Sequence, residues 1–225
     1  DHLATLNLTS TSTATAHLAT EGIDGERVLE VGDVMYDAAL FYGDRAGART
    51  ELLDRLGVEP DAFLLATTHR AENTDDPERM NAIVDAFIEL GRDHVIVLPL
   101  HPRTRAVLER SGDLDRLGDA ITLCEPLGYL DMVALERDAA LVVTDSGGVQ
   151  KEAFFHGTPC ITLRDETEWV ELVEAGWNTI VPPCAAADIV TGVRNAIGTR
   201  GSDIEPYGCG NAAERVVDAL VGVHA

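Results

Sequence analysis

From residue 59 onward the chain alternates short, almost wholly apolar runs with stretches of helical periodicity, and few folds accept that pattern. The runs occupy 63–68, 95–100, 121–124, 140–144, 160–163 and 179–181. A strand covered on one face alternates apolar with polar residues, whereas a strand buried on both faces is apolar throughout. Between the runs, 77–90 sets Met80, Ile83, Val84 and Phe87 at helical spacing, with Asp76 as N-cap and Pro77 as first helical residue. Repeated strand–helix units with short connections predict an α/β fold, a Rossmann-like, doubly wound parallel sheet with right-handed crossovers.

The ends differ from this middle. Residues 3–20 read as one strand and one helix of a preceding sheet, and 28–38 as a crossover between domains, followed by a helix through about Leu56. "PYGCG" breaks the chain before a last helix over 212–221. The expected division is 1–33 as the end of one domain plus crossover, 34–205 as the main domain, and 206–225 as a terminal helix. The chain begins at Asp1 without a basic-then-apolar leader and reads as a segment of something longer.

The 225 residues carry a net charge of −22, and Lys151 is the one lysine. Polyanions are repelled by such a surface, which argues against nucleic acid and anionic lipid as partners. No run approaches the roughly 20 apolar residues of a membrane span. The acidic, lysine-poor balance resembles proteins of salt-loving organisms, where ionic strength screens self-repulsion; an ordinary acidic soluble protein is the alternative. Cys124, Cys160, Cys184 and Cys209 show no paired spacing, so neither a metal site nor a disulfide framework is expected, as suits a reducing cytoplasm.

In open α/β sheets ligands bind where strands end and helices begin. "TDSGGVQKEA", 144–153, places Ser146, Gly147 and Gly148 at such a junction. Glycines let a ligand approach the backbone, while free N–H groups, the helix dipole and a serine hydroxyl favour an anion such as a phosphate or diphosphate. Glu152 lies one turn beyond Gly148, about 6 Å along the axis, a distance that suits ribose hydroxyls. Spacing alone equally admits a glycine turn with a capping serine and a solvated glutamate. "TTHRAEN", 67–73, opens onto the same sheet edge, so His69 and Arg70 are candidates to meet an anionic leaving group, the histidine as proton donor. "PLHPR", 99–103, adds His101 and Arg103, as cleft residues or as loop and capping residues. Leu127 and Met132 are candidate contacts for a base ring or plain core. Asp165, Glu166 and Glu168 surround Trp169, which suits a cleft wall better than open surface.

Taken together and in order, "TTHRAEN", "PLHPR", "GYLDMVAL", "TDSGGVQKEA", "RDETEWVELVEAGWN" and "PYGCGNAAERVV" resemble the non-hydrolysing UDP-N-acetylglucosamine 2-epimerases. The resemblance spans essentially the whole chain. It implies two Rossmann-like domains around a cleft, as in B-type glycosyltransferases, with this chain supplying the end of the first domain, the second, and the terminal helix that packs back on the first. It further implies that Ser146, Gly147 and Gly148 hold the UDP diphosphate, Glu152 the ribose, Leu127 and Met132 the uracil, and that His69 serves catalysis near the diphosphate. The family reaction eliminates UDP to a 2-acetamidoglucal and re-adds it after protonation of the other face of C2, without cofactor or metal.

The family's acid–base carboxylates come from the first domain, so the segment alone is expected to bind UDP without turnover. A homodimer in the cytoplasm, serving surface glycan synthesis, is the implied setting. Two departures stand out. Trp169 replaces an arginine of the bacterial UDP-GlcNAc branch, and its surroundings are similar to the UDP-2,3-diacetamido-glucuronate branch and to archaeal members of uncertain substrate. Cys209 replaces a common aspartate. A UDP-sugar glycosyltransferase and a non-catalytic nucleotide-binding remnant are the other expectations.

Overall fold

The computed structural model describes residues 1–46 and 50–223, and these form two compact units, 1–44 with 203–223 and 45–202. In the smaller unit, β1 (Asn7–Thr9) leads into α1 (Ser12–Thr20), whose N-cap Thr11 accepts from the Ala14 N–H at 3.1 Å. A second strand, β2 (Val28–Glu30), pairs with β1 in parallel, and α2 (Val34–Ala46) follows. The expected crossover at 28–38 is thus corrected to a strand and the start of a helix. Sequence gives little sign of β2, because it is three residues long and Leu29 and Glu30 are exposed. Asp37 of α2 accepts from the Ala212 and Ala213 N–H groups at 3.1 and 2.7 Å. That carboxylate caps the terminal helix and explains why 34–44 groups with the C-terminal segment.

The larger unit opens with α3 (Thr50–Leu56). The helix expected through about Leu56 is helical in its described residues, to 46 in α2 and over 50–56 in α3, and residues 47–49 lie outside the described part. There follow β3 (Phe63–Thr67), the short α4 (Ala71–Thr74), α5 (Pro77–Leu90), β4 (Val95–Pro99), α6 (Pro102–Ser111), α7 (Leu114–Gly118) and β5 (Thr122–Cys124). The second half comprises α8 (Tyr129–Asp138), β6 (Leu141–Thr144), α9 (Gly147–Phe155), β7 (Cys160–Thr162), α10 (Val170–Glu174), β8 (Asn178–Ile180) and α11 (Ala186–Ala196). Helix α12 (Ala212–Val223) closes the smaller unit and runs slightly past the expected 221.

All six strands of the larger unit pair in parallel, in the order β5-β4-β3-β6-β7-β8. Numbered within the unit this is 3-2-1-4-5-6, the doubly wound order whose switch point falls between its first and fourth strands, here β3 and β6. Successive residues explain the unbroken apolar runs. Leu64, Ala66, Ile96, Leu98, Leu141 and Val143 enter the core cluster shared with α5 and α11, while Phe63, Leu65, Val97, Val142 and Cys160 enter the one shared with α3, α8 and α9. Helix α5 begins as the sequence predicts. Asp76 accepts from the Glu78 and Arg79 N–H groups, and Met80, Ile83, Val84 and Phe87 are buried. Each such side chain contributes about 1.5–3 kcal/mol by burial. Among the described residues no helix is long and apolar enough to cross a membrane.

Candidate functional site

The two strands at the switch point are fastened where they end. Thr67 and Thr144 hydroxyls bond across β3 and β6 at 2.6 Å, both buried. One residue further, Asp145 is fully buried and its carboxylate gathers the β3 exit loop. It accepts from the Thr68 hydroxyl at 2.9 Å, the His69 and Arg70 N–H groups at 3.0 Å each, and Asn73 Nδ2 at 3.0 Å. Asn73 Nδ2 also reaches the Leu163 carbonyl at 3.0 Å, and the Thr104 hydroxyl donates to the Thr68 carbonyl. A buried carboxylate is tolerable only with this degree of hydrogen bonding. The loop "THRAEN" is therefore built around Asp145, a role the sequence reading missed; the aspartate directly before Ser146 was the available signal.

His69 projects from this loop half-exposed, with Nδ1 3.6 Å from Asp145 Oδ1. Its ring lies beside that of His101, centroids 5.2 Å apart. His101 is also the N-cap of α6, its Nδ1 accepting from the Arg103 N–H at 3.1 Å. The capping role left open for His101 is thus filled. Arg103 turns elsewhere, donating to Thr74 Oγ1 at 2.8 Å and to both oxygens of Asp75. Arg70 pairs with Glu72 at 3.1 Å.

A cavity of about 180 Å³ opens at this edge, lined by Thr67, Thr68, His69, Pro99, His101, Pro126, Leu127, Met132 and Val149. Leu127 and Met132 pack against the α8–α9 core cluster and also wall the cavity. Helix α9 starts beside it with Ser146 as N-cap. The Ser146 hydroxyl makes no capping bond there, while the Ser146 N–H donates to Thr144 Oγ1 at 2.9 Å. The first-turn N–H groups of a helix have no partner within the helix itself. A Cβ built on Gly147 would meet nothing nearer than 3.8 Å, so the protein's own packing does not demand glycine there.

Glu152 sits on α9 with its carboxyl raised above the ordinary range by burial, an effect opposed by a hydrogen bond from Tyr129 and by the charge of Lys151. Buried Glu136 on α8 is raised well above it, chiefly by desolvation and then by Glu152. After β7, Arg164 holds Glu168 in a two-pronged bond at 2.8 and 2.9 Å and takes the Glu168 carboxyl down to about 2. Trp169 Nε1 donates to the Gly147 carbonyl at 2.8 Å. Two of the acidic residues here are thus arginine partners, since Asp165 accepts from Arg79 at 2.5 Å. Arg164, Gln150 and Asn178, which the sequence reading passed over, support this wall from beneath.

A doubly wound parallel sheet with a glycine-led helix and an apolar cavity at its switch point defines a Rossmann-like α/β protein. The profile of the UDP-N-acetylglucosamine 2-epimerase family matches residues 1–221, and the chain belongs to that family. It is 45% identical, over 98% of its length, to the UDP-2,3-diacetamido-2,3-dideoxy-D-glucuronate 2-epimerase of Pseudomonas aeruginosa, of which it covers 60%. It is 36% identical to the UDP-N-acetylglucosamine 2-epimerase of Methanocaldococcus jannaschii, covering 98% of this chain and 62% of that one. The crystal structure of the Methanocaldococcus jannaschii UDP-GlcNAc 2-epimerase with UDP-GlcNAc and UDP superposes with a TM-score of 0.89 at 35% identity, over 99% of this chain and 62% of that one. The chain spans about three fifths of the length of these relatives.

Proposed function

We propose that this chain carries the UDP-binding half of a non-hydrolysing UDP-amino-sugar 2-epimerase that interconverts UDP-GlcNAc and UDP-ManNAc. In this reading the Gly147 and Gly148 N–H groups and the Ser146 hydroxyl receive the diphosphate, where the helix dipole favours its charge. Glu152 accepts from the ribose hydroxyls. Leu127 and Met132 flank the uracil in the apolar cavity. His69, fixed through its backbone to Asp145, stands at the bridge between cavity and helix start and protonates or hydrogen-bonds the departing UDP. The single observation that carries the reading is the meeting of cavity, histidine and glycine-led α9 at the β3–β6 switch point.

The reaction removes the C2 proton as the C1–O bond to UDP breaks, leaving a 2-acetamidoglucal and free UDP. Return of a proton to the opposite face of C2 with re-formation of the C1–O bond completes the inversion. The side chains named here serve the UDP half of that exchange, since a diphosphate leaves readily only when its charge is met by fixed donors. The carboxylates that move the C2 proton are assigned to the other domain of the full-length enzyme. The nucleotide domain expected over 34–205 is taken to be centred on the larger unit, 45–202.

A second sugar, UDP-2,3-diacetamido-glucuronate, is favoured by the 45% identity to the Pseudomonas enzyme. We also assign the product to surface glycan synthesis and the protein to a cytoplasmic homodimer. A salt-adapted host fits the net charge of −22 with a lone lysine. Incubation of the full-length enzyme with each UDP-sugar in D2O tests the proposal. A C2-deuterated epimer is expected; a new glycoside would make it a glycosyltransferase, and UDP binding without C2 exchange a nucleotide-binding module.

A further inference from the structure

Two carbonyl groups at the start of α9 are held from inside the protein, and each shares a rigid peptide plane with one of the glycine N–H groups. The Ser146 carbonyl accepts from Gln150 Nε2 at 3.2 Å, and the Gly147 carbonyl from Trp169 Nε1 at 2.8 Å. Within a planar trans peptide the C=O and the next N–H point in opposite directions. Fixing the Ser146 carbonyl therefore aims the Gly147 N–H, and fixing the Gly147 carbonyl aims the Gly148 N–H.

Both holders are themselves clamped. Gln150 is fully buried, and its Oε1 accepts from the Thr167 hydroxyl at 2.6 Å and from Asn178 Nδ2 at 2.9 Å; Asn178 Oδ1 in turn accepts from the Thr162 hydroxyl at 2.7 Å. Thr167 Oγ1 also receives the Trp169 N–H at 3.2 Å, which ties the two holders together. The ammonium of Lys151 lies 4.2 Å above the Trp169 ring centre, and Lys151 is almost fully buried. A desolvated cation over an indole face is a strong form of that contact. The one lysine of the chain thus packs its charge against this tryptophan.

We propose that Trp169 is a positioning residue for the diphosphate cradle: its indole N–H, with the ring pinned by Lys151, sets the direction of the Gly148 N–H. The inference rests on the reading of the α9 start as the diphosphate site. It assigns Trp169 no contact with the ligand, unlike a cleft wall. It also explains why an aromatic donor, and not merely an apolar side chain, stands at this position, since phenylalanine would keep the Lys151 contact and lose the bond to Gly147.

The test compares UDP with uridine, which lacks the phosphates, by titration calorimetry on the 225-residue chain and its W169F and K151M variants. The ratio of UDP to uridine affinity should fall roughly tenfold in W169F, the scale of one lost hydrogen bond acting on a charged group, and severalfold in K151M. A structural tryptophan would weaken both ligands in parallel and leave the ratio unchanged, and that result overturns the inference. Wild-type chain that binds UDP no tighter than uridine overturns the diphosphate site itself, and with it this role.

Discussion

Gly147 shows how a single residue separates the needs of folding from those of binding. Its Cβ position is open to 3.8 Å, so alanine fits the folded chain and, as a better helix former, stabilises the first turn of α9 by a few tenths to about 1 kcal/mol. The added methyl would stand at the amide cradle. Gly147→Ala should therefore keep or raise the thermal midpoint while weakening UDP binding in calorimetry; an unchanged affinity would remove the diphosphate from this turn. Glu152 gives a second residue-level outcome. Its carboxyl must be ionised to accept two ribose hydroxyls, yet burial raises it above the ordinary carboxylate range. UDP affinity should thus begin to fall, as pH is lowered, at a higher pH than an unperturbed glutamate would give. Glu152→Ala should abolish that limb and weaken binding by about 1–3 kcal/mol. At this scale the sequence singles out Ser146, Gly147, Gly148, Glu152 and His69 as candidates because they belong to short local motifs. It does not show that Arg103 spends itself on Asp75, nor that Asp145 organises residues more than seventy positions away. Those partners are chosen by tertiary packing, which no local spacing encodes.

Among the elements, α5 was legible down to its cap, since capping, proline placement and apolar periodicity all agree there. Strand β2 was not, being short and exposed. The C-terminus of α9 carries the element-scale prediction. His156, the residue that ends it, is held down to about 4, first by burial and then by the Arg137 charge, with Asp138 opposing. A histidine depressed in the folded state is neutral there while the unfolded chain takes up a proton near 6.5. Its contribution to stability is therefore complete above about pH 6.5 and is lost as pH falls toward 4. His156→Gln should flatten the pH dependence of stability across that window, a difference of roughly 1–2 kcal/mol after allowance for partial solvent screening. Denaturant unfolding at pH 7 and pH 4.5 reads it directly, and parallel curves for the two proteins would contradict it.

For the whole molecule, six parallel strands in doubly wound order create one place where neighbouring crossovers leave the sheet in opposite directions, and the histidine loop and the glycine helix exit there together. The alternation of apolar runs and helices was enough to predict the parallel sheet, but not its strand order, which depends on which buried runs pair. A crystal of the chain soaked with uridine diphosphate tests the central claim most directly. Density for the two phosphates against the Gly147 and Gly148 amides, with the base in the cavity beside Leu127 and Met132, is the predicted result. Phosphate density anywhere else, or an empty site at saturating nucleotide, would contradict it.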